Sequence, residues 1–154
     1  MKFNDKTIML LATGCNTGYA PAVPGTFGTL AGLPLCFLVS YLPVSMTFLS
    51  ILAFIIFAIW IADRAEGLIG KKDPGCIVID EIAGILVTMA LLPFSITTAV
   101  LGFFIFRIFD ILKPFPARYL EAHIDGGAGI VIDDIAAGIM ANIVLRCLLW
   151  VIGI

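Results

Sequence analysis

Long apolar stretches alternate with short charged islands along this chain. No Lys, Arg, Asp or Glu occurs from Thr7 to Ala62, a run of 56 residues, or from Ile82 to Phe106, a run of 25. After Asp134 only Arg146 is charged. The charges therefore gather at 63–81, at 107–134 and at the extreme N-terminus. Proline ends or kinks helices because it lacks an N–H, so Pro34 and Pro43 divide the first run and Pro93 the second. Residues 44–62 then form 19 apolar or weakly polar positions, close to the ~20 that a bilayer-crossing helix needs. The pattern predicts helices near 27–41, 44–69, 80–92, 95–112, 115–122 and 132–152. No strand alternation of useful length occurs, and Ile77–Val78–Ile79 and Ile130–Val131–Ile132 read as short extended pieces. The expected fold is all-α, one domain over 1–154, a compact bundle of about six helices that is membrane-embedded or membrane-associated.

Both internal islands are basic as well as acidic, with Arg64, Lys71 and Lys72 in one and Arg107, Lys113 and Arg118 in the other. The positive-inside tendency puts both on the cytoplasmic face. A break at Pro93 allows this, since 81–92 and 95–112 then leave and return on one side. The first limb is too short to span, so it dips into the membrane or packs in the bundle. Ile135–Ile154 is long enough to span, with Arg146 snorkelling or paired.

Composition narrows the classes. Hydrophobic residues make up 61% of the 154 and charged residues 13%, against about 25% charged in an ordinary soluble domain. This excludes a disordered chain. Nine Lys and Arg against eleven Asp and Glu leave no basic excess, which excludes a nucleic-acid partner. Cys15, Cys36, Cys76 and Cys147 are widely spaced and read as free thiols. The N-terminal run shows no clear cleavage site for a signal peptide.

The most informative feature is a repeat. Residues 77–83 read IVIDEIA and residues 130–136 read IVIDDIA. Each copy follows a glycine-containing turn and precedes small residues, Ala83–Gly84 and Ala136–Ala137–Gly138, which allow close helix packing. Helix capping accounts for one acid of each pair. It does not account for two adjacent acids, twice, at the start of apolar segments. Asp80, Glu81, Asp133 and Asp134 would repel one another if gathered. A hard cation such as Mg²⁺, which takes oxygen ligands, removes that repulsion.

FRIFDILKPFP, residues 106–116, supplies complementary charge. Arg107, Asp110 and Lys113 follow at i, i+3 and i+6, so the first two share a helix face. Arg107 and Lys113 suit phosphate oxygens; Asp110 joins the metal set or holds Arg107. An intrahelical ion pair at a membrane rim is the plainer reading. Residues 21–29, PAVPGTFGT, form a rigid turn into a Gly/Thr-rich helix start, where backbone N–H groups can receive an anion with Thr26 and Thr29 as phosphate contacts; a plain loop-to-helix entry is the favoured reading of this segment taken alone. No Lys follows the glycine, so this is not a Walker A loop. Glu66, near Asp63 and Arg64, is a peripheral candidate against the plainer reading of a solvated helix end. His123 has no Ser or Cys partner, and nucleophilic catalysis is not favoured.

Four blocks together carry a resemblance: Gly18, Pro21 and Pro24–Thr29; Lys72–Gly75 with Ile77–Glu81 and Gly84; Phe106–Arg107 with Phe109–Asp110, Lys113–Pro114 and Pro116; and Gly126–Gly127 with Gly129, Asp133–Asp134 and Ala137–Gly138. In this order they resemble the signature blocks of the phosphatidylglycerophosphatase A family, over nearly the whole chain. The resemblance implies an all-α bundle around a central helix. It also implies a Mg²⁺-dependent phosphatase of the bacterial inner membrane that converts phosphatidylglycerophosphate to phosphatidylglycerol and phosphate. Its partners would be that lipid and the bilayer, its site would face the cytoplasm, and a homo-oligomer is compatible with it. Two other classes remain at this stage: a membrane carrier using the acids as a cation path, and a non-catalytic lipid- or metal-binding helical protein.

Overall fold

Proline, glycine and small capping residues set most of the helix boundaries. A computed structural model describes residues 4–153; Lys2, part of the N-terminal island, lies outside them. Seven α-helices occur among the described residues, with no strand. α1 (Asp5–Ala12) is capped by Asn4, whose Oδ1 accepts from the Lys6 N–H. A 3₁₀ turn at Thr17–Tyr19 leads to α2 (Pro24–Val39), with proline at the first helical position, where a missing N–H costs nothing. α3 (Val44–Ile69) ends at Gly70 in the left-handed conformation. α4 (Ile79–Thr88) is short. α5 (Ile96–Leu112) begins at Ser95, whose Oγ accepts from the Thr98 N–H. α6 (Ala117–His123) follows Pro114 and Pro116, and α7 (Gly126–Val151) closes the fold.

The all-helical bundle of about six helices is found, with α1 as a seventh that the pattern did not predict. Two expectations need correction. α4 stops at Thr88, four residues early, in a turn that contains Leu91 at φ +56°. α7 starts at Gly126, so Ile130–Val131–Ile132 is helical, not extended. The cause of the last is tertiary. A Cβ on Gly127 would meet the Ile59 carbonyl oxygen at 2.2 Å, so the glycine-rich stretch is the seat of α7 on α3. Asp63 completes that seat, because its Oδ1 accepts from the Gly127 N–H at 3.3 Å. Asp63 is thus a contact to α7, not only a solvated helix end.

α4 is the central helix. It packs against α7, α2, α3 and α5, and seven of its ten residues are buried. Two apolar clusters flank it. One joins Ile8, Ile61, Ile79 and Val131; the other joins Ile85, Leu86, Phe106 and Leu145. Glycines allow its close contacts, since a Cβ on Gly32 of α2 would meet Ile85 of α4 at 2.4 Å. Where α4 ends, Asn142 Nδ2 donates to the carbonyls of Val87, Thr88 and Ala90, and Arg146 Nη2 donates to Ala90. These side chains satisfy carbonyls that a helix end leaves orphaned, and they give Arg146 the partners its apolar setting requires.

α3 and α7 are long and apolar enough to cross a membrane. Met46, Phe48, Leu49, Leu52 and Ile56 of α3 are exposed, a larger apolar face than water normally tolerates. α4 and α5 run out and back, so the start of one meets the end of the other, as the break at Pro93 predicted.

Candidate metal and phosphate site

The two copies of the repeat line one cavity of about 260 Å³. Each contributes the same three positions: Ile77, Asp80 and Glu81 from one, Ile130, Asp133 and Asp134 from the other. Arg107, Asp110 and Lys113 of α5 complete the charged lining, and Val23, Pro24 and Gly25 bring in the first turn of α2. Asp73 and Gly75, from the turn before the first copy, lie on the same wall.

Helix geometry sorts the acids. Asp80 and Glu81 occupy the first turn of α4, whereas Asp133 and Asp134 lie two turns inside α7. Asp80, Glu81 and Asp134 each place a carboxylate oxygen within 4.8 Å of the others. Asp133 turns instead to Lys113, with Oδ2 2.6 Å from Nζ. Arg107 Nη1 is hydrogen-bonded to Asp110 Oδ2 and stands 3.7 Å from Glu81 Oε1. The ion pair at i, i+3 therefore forms, and both of its members line the cavity.

Polar atoms remain unspent. Asp80 Oδ1, Glu81 Oε2, Asp133 Oδ1, Asp134 Oδ2 and Arg107 Nε are buried without a hydrogen-bond partner. Such groups are costly in a protein interior. Burial, and then the charges of Glu81 and Asp134, push the Asp80 carboxyl well above its ordinary range. Burial pushes Glu81 up to about 7, although the Arg107 charge works the other way. Burial alone would lower the Lys113 ammonium, but its bonds to Asp133 and Glu121 hold it above its ordinary value.

The backbone is strained around the same cavity. Val23, Asp73 and Lys113 are non-glycine residues at φ +47°, +45° and +42°, and all three line it. Left-handed conformations are unfavourable for such residues, for a β-branched valine above all, and they collect at working sites. Gly25 is needed for a different reason. A Cβ there would lie 2.1 Å from Glu81 Oε1 and 2.9 Å from Arg107 Nη1.

The remaining candidates fall outside the cavity. Thr29 is buried and its hydroxyl donates to the Gly25 carbonyl at 2.8 Å, so its proton is used within α2. Thr26 is half-buried and does not line the cavity. Glu66 Oε1 accepts from the Asp73 N–H at 3.0 Å and lines an adjoining cavity that shares Asp73, Ile130 and Asp133. Sequence reasoning missed Glu121, the second partner of Lys113 at 2.8 Å, and the place of Asp73 on the wall. The Asp73–Pro74–Gly75 turn beside the first repeat pointed to the latter; nothing local pointed to Glu121.

The sequence matches the family model described as Phosphatidylglycerophosphatase A over residues 10–149. It is 38% identical to phosphatidylglycerophosphatase A of Escherichia coli (strain K12) over 148 residues, covering 94% of this chain and 86% of that protein. It is also 38% identical to phosphatidylglycerophosphatase A of Haemophilus influenzae (strain Rd), over 90% of this chain and 86% of that one. A protein of Bacteroides thetaiotaomicron, provisionally named a phosphatidylinositol-3-phosphatase, is 33% identical over 94% of this chain and 95% of its own length. No solved structure matches.

Proposed function

We propose, from the premise that this chain belongs to the phosphatidylglycerophosphatase A family, that it hydrolyses phosphatidylglycerophosphate to phosphatidylglycerol and inorganic phosphate. The reaction takes place at the cytoplasmic face of the bacterial inner membrane, in the presence of Mg²⁺. One observation carries the reading: Asp80, Glu81 and Asp134 converge within 4.8 Å, and each keeps a buried oxygen without a partner.

That donor set fits the cation. Three carboxylates present oxygen ligands only, which suits a hard divalent ion, and the unpartnered oxygens are ligand positions that no protein group fills. Asp80, Glu81 and Asp134 would hold Mg²⁺, with Asp133 alongside. When bound, the ion supplies positive charge against the phosphoryl oxygens and lowers the barrier to attack by water.

The other residues act on the phosphate group. Arg107 is anchored by Asp110 and Glu81, and its unpartnered Nε is an N–H donor for a phosphoryl oxygen. Lys113 Nζ has a third N–H beyond its bonds to Asp133 and Glu121. The first turn of α2, at Pro24 and Gly25, adds the positive end of a helix dipole. Water attacks phosphorus and gives up a proton, the bond from phosphorus to the glycerol oxygen breaks, and that oxygen takes up a proton, so that the water is divided between phosphate and glycerol. Apolar faces of the bundle keep the lipid tails beside it.

The deciding experiment measures phosphate release by the purified protein from phosphatidylglycerophosphate, phosphatidic acid and phosphatidylinositol 3-phosphate, with Mg²⁺ and with EDTA. Preference for phosphatidylglycerophosphate, abolished by EDTA, is expected. Preference for phosphatidylinositol 3-phosphate would move the assignment to the activity for which the Bacteroides relative is named. No release from any of the three would refute the reading.

A further inference from the structure

Two carboxylates of unequal exposure share the Lys113 ammonium. Asp133 Oδ2 lies 2.6 Å from Nζ on a side chain that is 5% exposed; Glu121 Oε1 lies 2.8 Å away on one that is 42% exposed. Asp133 is fixed within the long helix α7. Glu121 stands on α6, a seven-residue helix, and lines the adjoining cavity of about 260 Å³ with Glu66, Lys72, Asp73 and Asp133. That cavity gives its carboxylate room to turn away, and partly exposed ion pairs are weak.

The charge balance around Lys113 is also lopsided. One ammonium faces two carboxylates, so a phosphate group reaching Lys113 meets a neighbourhood that is already negative. Asp133 is buried and cannot leave without stranding its charge. Glu121 can.

We propose that Glu121 is a positioning residue that acts through Lys113: its carboxylate stands in for phosphate in the free protein, yields the ammonium when a phosphate group binds, and reclaims it on release. It thereby sets the affinity for phosphate substrate and product alike. The inference rests on the reading of Lys113 as a phosphate contact given above.

The test is a ³¹P NMR titration of inorganic phosphate into the full-length protein in detergent micelles with Mg²⁺. The variants are Glu121→Gln, Lys113→Gln and both together. Glu121→Gln keeps the size of the side chain and one acceptor oxygen, and removes its charge. It should lower the phosphate dissociation constant about threefold or more. In the Lys113→Gln background the same change should have little effect. The KM for phosphatidylglycerophosphate should fall with the dissociation constant, while kcat moves less. Glu121→Asp, which draws the carboxylate back, should lie between wild type and Glu121→Gln, and it keeps the test open if Lys113→Gln does not fold. Unchanged or weaker phosphate binding by Glu121→Gln, equal tightening without Lys113, or no phosphate binding by any form would each overturn the proposal. A purely structural role predicts a lower melting temperature and weaker phosphate binding instead. If phosphate tightens as expected but no lipid substrate is hydrolysed, the function fails and the role of Glu121 stands.

Discussion

A Cβ on Gly138 of α7 would meet the Gly84 carbonyl oxygen of α4 at 2.5 Å. Each glycine lies four residues after an acid of the site, Asp134 in one case and Asp80 in the other. The backbone contact therefore fixes the separation of the carboxylates one turn away. Gly138→Ala should destabilise the protein by about 1–3 kcal/mol, the usual cost of overpacking, and should lower kcat as well. Thermal unfolding in detergent micelles and phosphate release measure the two effects. Gly67→Ala, where nothing lies within 4 Å of the added Cβ, is the control and should show neither loss.

The acids should not be interchangeable. Asp80→Asn and Asp134→Asn should reduce phosphate release by at least about 100-fold and abolish the rise in melting temperature that Mg²⁺ produces. Asp133→Asn should keep much of that rise, because Asp133 faces Lys113 rather than the three-acid cluster. Equal loss of the Mg²⁺ effect in all three variants would show that the cluster is drawn too narrowly.

Stability without cation should fall as pH rises. Glu81 binds its proton up to about pH 7 in the native state, against an ordinary value of 4.5. Between those values the folded chain holds a proton that the unfolded chain has released, so stability decreases with increasing pH. Asp80 acts in the same direction. In EDTA the melting temperature should therefore climb as pH is lowered from 8 towards 5. Saturating Mg²⁺, which favours the charged carboxylates, should flatten that climb. A melting temperature in EDTA that rises with pH would contradict the burial of these acids.

The far end of α4 should matter for folding and not for substrate. Asn142→Leu removes the donor that serves the carbonyls of Val87, Thr88 and Ala90. Leaving such carbonyls unpaired costs about 1–3 kcal/mol. Melting temperature should drop, while KM for the lipid substrate should stay within twofold or so of wild type.

Much of the site was legible because it was written twice. The repeat named Asp80, Glu81, Asp133 and Asp134 before any geometry, and its first position proved to line the cavity in both copies, as Ile77 and Ile130. The seven-residue phrase could not reveal its setting. One copy opens a helix and the other lies inside one, a difference made by the approach of α3 to Gly127. Residues 44–69 were readable as one helix because no charge and no proline interrupts them from Val44 until Asp63. The eight residues of α1 carry no comparable run. Glu121 was invisible for a related reason: its meaning lies in an ammonium eight residues away that a turn containing two prolines brings back to it.

Gly25 leaves the site open by having no side chain. With a Cβ position only 2.1 Å from Glu81 Oε1, position 25 works as a keyhole, and any larger residue is a plug set in it. Gly25→Val would obstruct the cavity while leaving every acid, arginine and lysine in the sequence. That variant stays matched to the protein in charge, and its added volume presses on the Glu81 carboxylate and the Arg107 guanidinium, so it disturbs the site by shape alone.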